Sequence, residues 1–249
     1  MGRDVRLEDS PIGPIVTPTD RRDMVILYVG GNPEAAPPST LEKAERLARL
    51  TGASVVCPRY RCAFPAAFED VRAAYRHVKP LGPVSLVGER MGAGLSAALL
   101  VYLRDLGAPL PRRAVLVSAL LDLTMRANSL LLNARTDPAL DVTGLRELVA
   151  DYAGGAALTN PLLSPLYANL HGLTPVQLQV AGTDPLLDDS LSFAARAARS
   201  GVAVELRVAP DAAGLAATML DTTAEFITRW SPAVRVGPTT AGQPAPAAG

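Results

Sequence analysis

Gly88-Glu89-Arg90-Met91-Gly92 lies between Pro83-Val84-Ser85-Leu86-Val87, a short apolar run, and Met91 to Leu103, a stretch rich in alanine and leucine. The run reads as a buried strand and the stretch as a helix, so the two glycines mark a tight strand-to-helix turn. The spacing is that of G-x-S-x-G, a turn that lifts a side chain clear of a sheet edge, with Arg90 where that pattern has serine. A guanidinium stays protonated at physiological pH and cannot attack a carbonyl carbon.

Working outward, Met24 to Val29 is a continuous β-branched and apolar run that ends at Gly30-Gly31-Asn32-Pro33, a strand feeding a glycine loop. After Ser39, the residues Leu41, Ala44, Leu47, Ala48 and Leu50 recur at helical spacing until Thr51-Gly52. Further strands are predicted over 54–57, 114–118, 176–180 and 202–208, with helices near 68–78 and 188–200, the latter stopped by Gly201. Strands alternating with helices predict an α/β fold, a mostly parallel sheet with helices on both faces. Ligands bind such sheets beyond the carboxyl ends of the strands, where Gly30-Gly31 and the Arg90 turn both fall.

The chain has 249 residues, 49% of them apolar, and a formal net charge of zero, which fits a single domain over 1–230. The mixed charges lack the basic stripe that nucleic acid requires. The longest apolar run, 91–103, is too short for the roughly 20 residues of a membrane span, and Met1 to Asp20 has no apolar leader. The expectations are therefore a cytoplasmic protein with neither nucleic acid nor membrane as partner. Cys57 and Cys62 have no companions for a zinc set, so no metal and no cofactor is expected, and both read as small apolar residues. His77 and His171 read as surface or structural histidines. Residues 121–173 interrupt the strand–helix rhythm and read as a lid, and 231–249, rich in Pro, Ala, Gly and Thr, reads as a disordered tail.

Several segments resemble the hormone-sensitive-lipase group of α/β-hydrolases, over about Met24 to Trp230. Cys57-Pro58-Arg59-Tyr60-Arg61 with Phe64 to Asp70, Leu121-Asp122-Leu123-Thr124, Asn160-Pro161 and Ser164-Pro165-Leu166-Tyr167 are similar to family segments. Ala181-Gly182-Thr183-Asp184-Pro185-Leu186-Leu187-Asp188-Asp189 is the most specific match, and the resemblance makes Asp184 the acid of the family's triad. It puts the nucleophile at Arg90 and the base at Gly214, while Val29-Gly30-Gly31-Asn32 stands where the family has H-G-G-G. The resemblance further implies a degenerate triad, a missing helical cap and missing first strands, with the entrance closed by 121–173 or by a second subunit in a homodimer.

A Ser-His-Asp mechanism needs a nucleophile, a base and an acid, and two of the three are absent from their positions. Arg90 is expected to reach across the gap left by Gly214 and pair with Asp184, as a staple or as the cation of a pocket. That pocket would be lined by Gly30, Gly31, Asn32, Glu89, Met91, Gly214 and Leu215. The expectation drawn from this is a non-hydrolytic protein that binds an apolar small molecule and promotes cyclisation, cycloaddition or elimination, as a cyclase or lyase of natural-product biosynthesis. The alternative is a non-catalytic binding pseudo-hydrolase or receptor, and a third reading is hydrolysis through a different set of residues.

Overall fold

The computed structural model describes residues 4–31, 38–134 and 142–229. The elements are β1 (Val5–Glu8), β2 (Ile15–Pro18), β3 (Val25–Val29), α1 (Pro38–Thr51), β4 (Ser54–Val56), α2 (Ala66–Val78), β5 (Val84–Glu89), α3 (Met91–Asp105), β6 (Ala114–Val117), α4 (Ser129–Leu132), α5 (Val142–Ala153), β7 (Val176–Ala181), α6 (Leu187–Arg199), β8 (Val204–Ala209) and α7 (Ala212–Thr228). The eight strands form one sheet in the order β1-β2-β4-β3-β5-β6-β7-β8. From β4 to β8 every pairing is parallel, while β1 and β2 run antiparallel at one edge.

Alternation along the strands explains why helices cover both faces. In β3, Val25, Leu27 and Val29 point into one apolar layer with Phe68, Leu99 and Phe193, whereas Ile26 and Tyr28 point into the other with Leu47, Met219 and Phe226. Strands buried on both faces are nearly continuous apolar runs, which is why 24–29 is legible as one. Burying each large aliphatic or aromatic side chain contributes roughly 1.5–3 kcal/mol.

Chain order reverses beside β3, with β4 on one side and β5 on the other. This reversal opens a crevice at the carboxyl ends of β3 and β5, the usual ligand position in an open α/β sheet. The register Val29↔Gly88 brings Gly30-Gly31 and the Arg90 turn side by side.

One expectation fails at the amino-terminal end of the chain. The first strands are present: β1 and β2 form a hairpin whose inner member pairs with β4. They escape sequence reading because β1 is four residues long and largely exposed, and Pro11, Pro14 and Pro18 punctuate the segment. At the other end the structure adds the helix α7. Asp211 caps it, its carboxylate accepting from Gly214 N at 2.8 Å, and its inner face packs on β7 and β6.

Within 121–173 the structure has α4, α5 and a 3-10 turn over Pro165–Tyr167. Asp189 ties this region to α6 by accepting from Leu121 N at 2.7 Å and Asp122 N at 2.9 Å. Residues 135–141 of the expected lid and the expected tail over 231–249 lie outside the described residues. Among the described residues no helix is long and apolar enough to cross a membrane.

Candidate active site

The turn between β5 and α3 is built by glycines that tolerate no side chain. A Cβ at Gly88 would come within 2.5 Å of Ala93 Cα, and one at Gly92 within 2.1 Å of Val29 O and 2.4 Å of Gly30 O. The helix thus seats directly on the strand and on the glycine loop. Arg90 between them has φ 51° and ψ −115°, a left-handed conformation that side-chain-bearing residues adopt at a cost of about 1–3 kcal/mol. Its backbone is fixed on both sides, with Arg90 N donating to Val117 O at 3.0 Å and Leu120 N donating to Arg90 O at 3.2 Å.

Beside this turn lies a cavity of about 160 Å³ lined by Lys43, Glu89, Arg90, Ser118, Thr183, Asp184 and apolar residues of α7 that include Leu215 and Met219. Among the described residues three non-glycine side chains sit at positive φ, and two of them, Arg90 and Ser118 (φ 45°), line it. Backbone strain of this kind collects at functional sites because the surrounding fold must be built to hold it.

Glu89 is the most perturbed group in the cavity. Lys43 Nζ donates to both its oxygens, at 2.9 and 2.8 Å, and the Tyr28 hydroxyl donates to Oε1. Burial pushes the Glu89 carboxyl up to about 7, against the pull of the neighbouring Arg90 cation. Burial and the same cation hold the Lys43 amine below its ordinary value. A carboxyl poised near neutrality beside an amine made easier to deprotonate is an ion pair that is able to exchange a proton. Asp184, 4% exposed, uses Oδ1 to accept from Leu186 N at 2.8 Å.

The predicted site residues divide. Arg90, Asp184, Glu89 and Leu215 meet at the cavity. A Cβ at Gly31 would come within 3.3 Å of Arg90 Cβ, so the glycine loop lies against the Arg90 turn, and Gly30 O accepts from the Tyr60 hydroxyl at 2.6 Å. Met91 belongs elsewhere: it lines a small apolar cavity with Leu95, Leu120, Leu123 and Tyr152, because it is buried in the layer of Phe68 and Leu99, whereas Leu215 and Met219 belong to the opposite layer. Gly214 is the third residue of α7, its amide engaged by Asp211, and it is not among the cavity residues. Asn32 lies outside the described residues. Arg90 and Asp184 face the same space, but among the described residues no ion pair joins them. His77 and His171 are exposed and remote from the cavity, as their reading as surface histidines expects.

Sequence reasoning missed Lys43, Tyr28, Ser118 and Thr183. One signal was available: only two of the 24 basic residues are lysines, so a lysine on the inward side of the helix after the glycine loop is unusual for this chain. Tyr28 reads as one more apolar strand residue, and nothing in the sequence reveals that its hydroxyl meets Glu89.

A mostly parallel sheet with a glycine-framed turn beside a glycine loop, at the point where strand order reverses, defines an α/β-hydrolase architecture. The chain belongs to that family: the model described as alpha/beta hydrolase fold matches residues 27–213. It is 34% identical over 200 residues to an acetyl-hydrolase of Streptomyces hygroscopicus, covering 77% of this chain and 67% of the relative. It is 30% identical over 150 residues to an esterase of Acinetobacter venetianus, covering 58% of this chain and 50% of that relative, so it spans only half of that protein's length. A crystal structure of an esterase from the bacterial hormone-sensitive lipase family superposes with a TM-score of 0.82 at 32% identity, covering 92% of this chain and 86% of the other.

These relatives overturn the functional expectation. Proteins named acetyl-hydrolase and esterase point to hydrolytic catalysis, against a cyclase or lyase, against a non-catalytic pseudo-hydrolase or receptor, and against setting serine hydrolases aside. The expectation went astray by reasoning from two positions to the whole site. The cavity around Arg90 holds a serine, a lysine and a carboxyl that those positions do not reveal.

Proposed function

We propose that this chain hydrolyses a small carboxylic ester in the cavity beside the Arg90 turn. The relatives support the reaction class, and a cavity of about 160 Å³ supports a short acyl group over a bulky one. At the three positions to which the resemblance assigns the triad, this chain has Arg90, Asp184 and Gly214, so the triad is degenerate and its roles fall to other residues. The observation that carries the reading is the Glu89 carboxyl, held by Lys43 and Tyr28 next to Arg90 and Ser118.

In this reading the Ser118 hydroxyl adds to the ester carbonyl carbon while its proton passes to the Lys43–Glu89 pair. The Arg90 guanidinium stabilises the oxyanion that forms, and the alkoxide leaves with the proton. Water then repeats the sequence on the acyl-serine, releasing the acid and restoring Ser118. Ser-Lys couples are a known variant of the serine nucleophile. Asp184 is a positioning residue here, holding the 184–186 turn that forms the cavity wall.

Turnover of p-nitrophenyl acetate and p-nitrophenyl butyrate tests the reading. Arg90→Met is expected to lower kcat/KM by about 100-fold or more, the usual cost of removing one oxyanion donor. A fluorophosphonate is expected to modify the peptide that contains Ser118. Absence of turnover by the wild-type chain overturns the function, while turnover that survives Ser118→Ala moves the nucleophile to water.

A further inference from the structure

At the opposite, amino-terminal end of the sheet, Arg22 before β3, Arg112 and Arg113 before β6, and Arg229 after α7 line a second cavity of about 150 Å³, with Met24 and Ile227 as apolar wall. Four guanidiniums around one small space repel one another, and an arrangement of this kind needs a reason. Part of it is structural. Arg113, 8% exposed, donates to Arg229 O at 2.8 Å, capping α7, and stacks on Phe226 with its guanidinium carbon 5.0 Å from the ring centre. Arg229 stacks on the same ring at 6.0 Å.

The remaining charge is only partly balanced among the described residues. Among the described residues, Glu205 is the one carboxylate in an ion pair with any of the four, through Arg229 at 3.1 Å, and it is shared with Arg207 at 2.9 Å. Arg22, Arg112 and Arg113 have no ion pair among the described residues. The carboxylate of Asp23, next to Arg22, is turned toward Gly82. Burial together with the Arg229 and Arg112 charges makes the Arg113 proton easier to lose than an ordinary guanidinium's, against the opposing pull of Glu205.

We propose that this cavity binds a small soluble phosphate-bearing anion, with Arg22 and Arg112 contacting the phosphate oxygens and Arg113 as the fixed cation at the back. A planar fork of donors suits phosphate oxygens, and an anion carrying two or more charges offsets the unbalanced guanidiniums. The cavity lies across the sheet from Arg90, so its occupancy is independent of ester hydrolysis.

Isothermal titration of the full chain with sodium pyrophosphate, at ionic strength held constant with sodium chloride, tests the site. Saturable binding is expected, with the Arg22→Ala/Arg112→Ala double variant at least tenfold weaker. Both residues are exposed, so the variant is expected to keep the wild-type circular dichroism and thermal transition. Arg46→Ala, an exposed arginine paired with Asp221 on another face, removes a charge without touching the cavity and is expected to bind as wild type. No binding by the wild-type chain, equal binding by the double variant, or equal weakening by Arg46→Ala overturns the proposal.

Discussion

Replacing Glu89 by glutamine keeps the size of the side chain and an oxygen for Lys43 and Tyr28 but removes the ionisation. In the folded protein the carboxyl titrates at about 7, against 4.5 as its ordinary value. Because the folded value is raised, the native state holds a proton that the unfolded chain has released across the interval between those two. Its favourable contribution is complete below about pH 4.5 and is lost as pH rises through 7. At about 1.4 kcal/mol per tenfold change in proton affinity, the interval corresponds to roughly 3 kcal/mol. That is an upper figure, since the carboxyl is 19% exposed and the Lys43 ammonium favours its charged form. Asp189, also pushed up to about 7 by burial, acts in the same window, so the informative quantity is the difference between wild type and Glu89→Gln. Urea unfolding at intervals from pH 4.5 to 8.5 is expected to show the variant gaining on wild type by about 1–3 kcal/mol across that range. Ester turnover by wild type is expected to rise through pH 7 as the carboxylate forms, and that rise is expected to vanish in Glu89→Gln. A stability difference flat with pH, or one of opposite slope, refutes the assignment of Glu89 as a buried carboxyl poised near neutrality.

Three further outcomes follow from the packing. Gly92→Ala drives a methyl into Val29 O and Gly30 O, and chemical denaturation is expected to show a loss of several kcal/mol or failure to fold, whereas Gly154→Ala, at φ 55° in open space, is expected to cost about 1 kcal/mol. Leu99→Ala empties a fully buried position under β5 and is expected to cost roughly 2–5 kcal/mol in the same measurement. Asp189→Ala strands the amides of Leu121 and Asp122 and is expected to cost roughly 2–4 kcal/mol, with faster hydrogen exchange in the segment after β6 than in β5.

The elements that the sequence alone determined are those where burial leaves no freedom of residue type. A strand covered on both faces is mostly apolar, so β3 and β6 are written as continuous runs, while β7 admits Gln177 and Gln179 because their amides are hydrogen-bonded to Glu205 and Thr223, and the glycines at 88 and 92 are forced by backbone atoms closer than any Cβ allows. The adjacency of Gly30-Gly31 and Arg90 follows from the same pattern once the sheet is parallel. Edge strands lack that constraint, and β1, with Arg6 and Glu8 in solvent, carries no apolar signature to read. The chemistry of the cavity was decided only by tertiary structure. Tyr28, Lys43, Glu89 and Ser118 come from four separate elements or their ends, and their protonation depends on burial and on one another's charge, quantities that exist only after the chain has closed around them. Met91 marks the converse case: its place in a familiar pattern fixes where the backbone goes, while its position in the first turn of α3 decides which apolar layer its side chain enters.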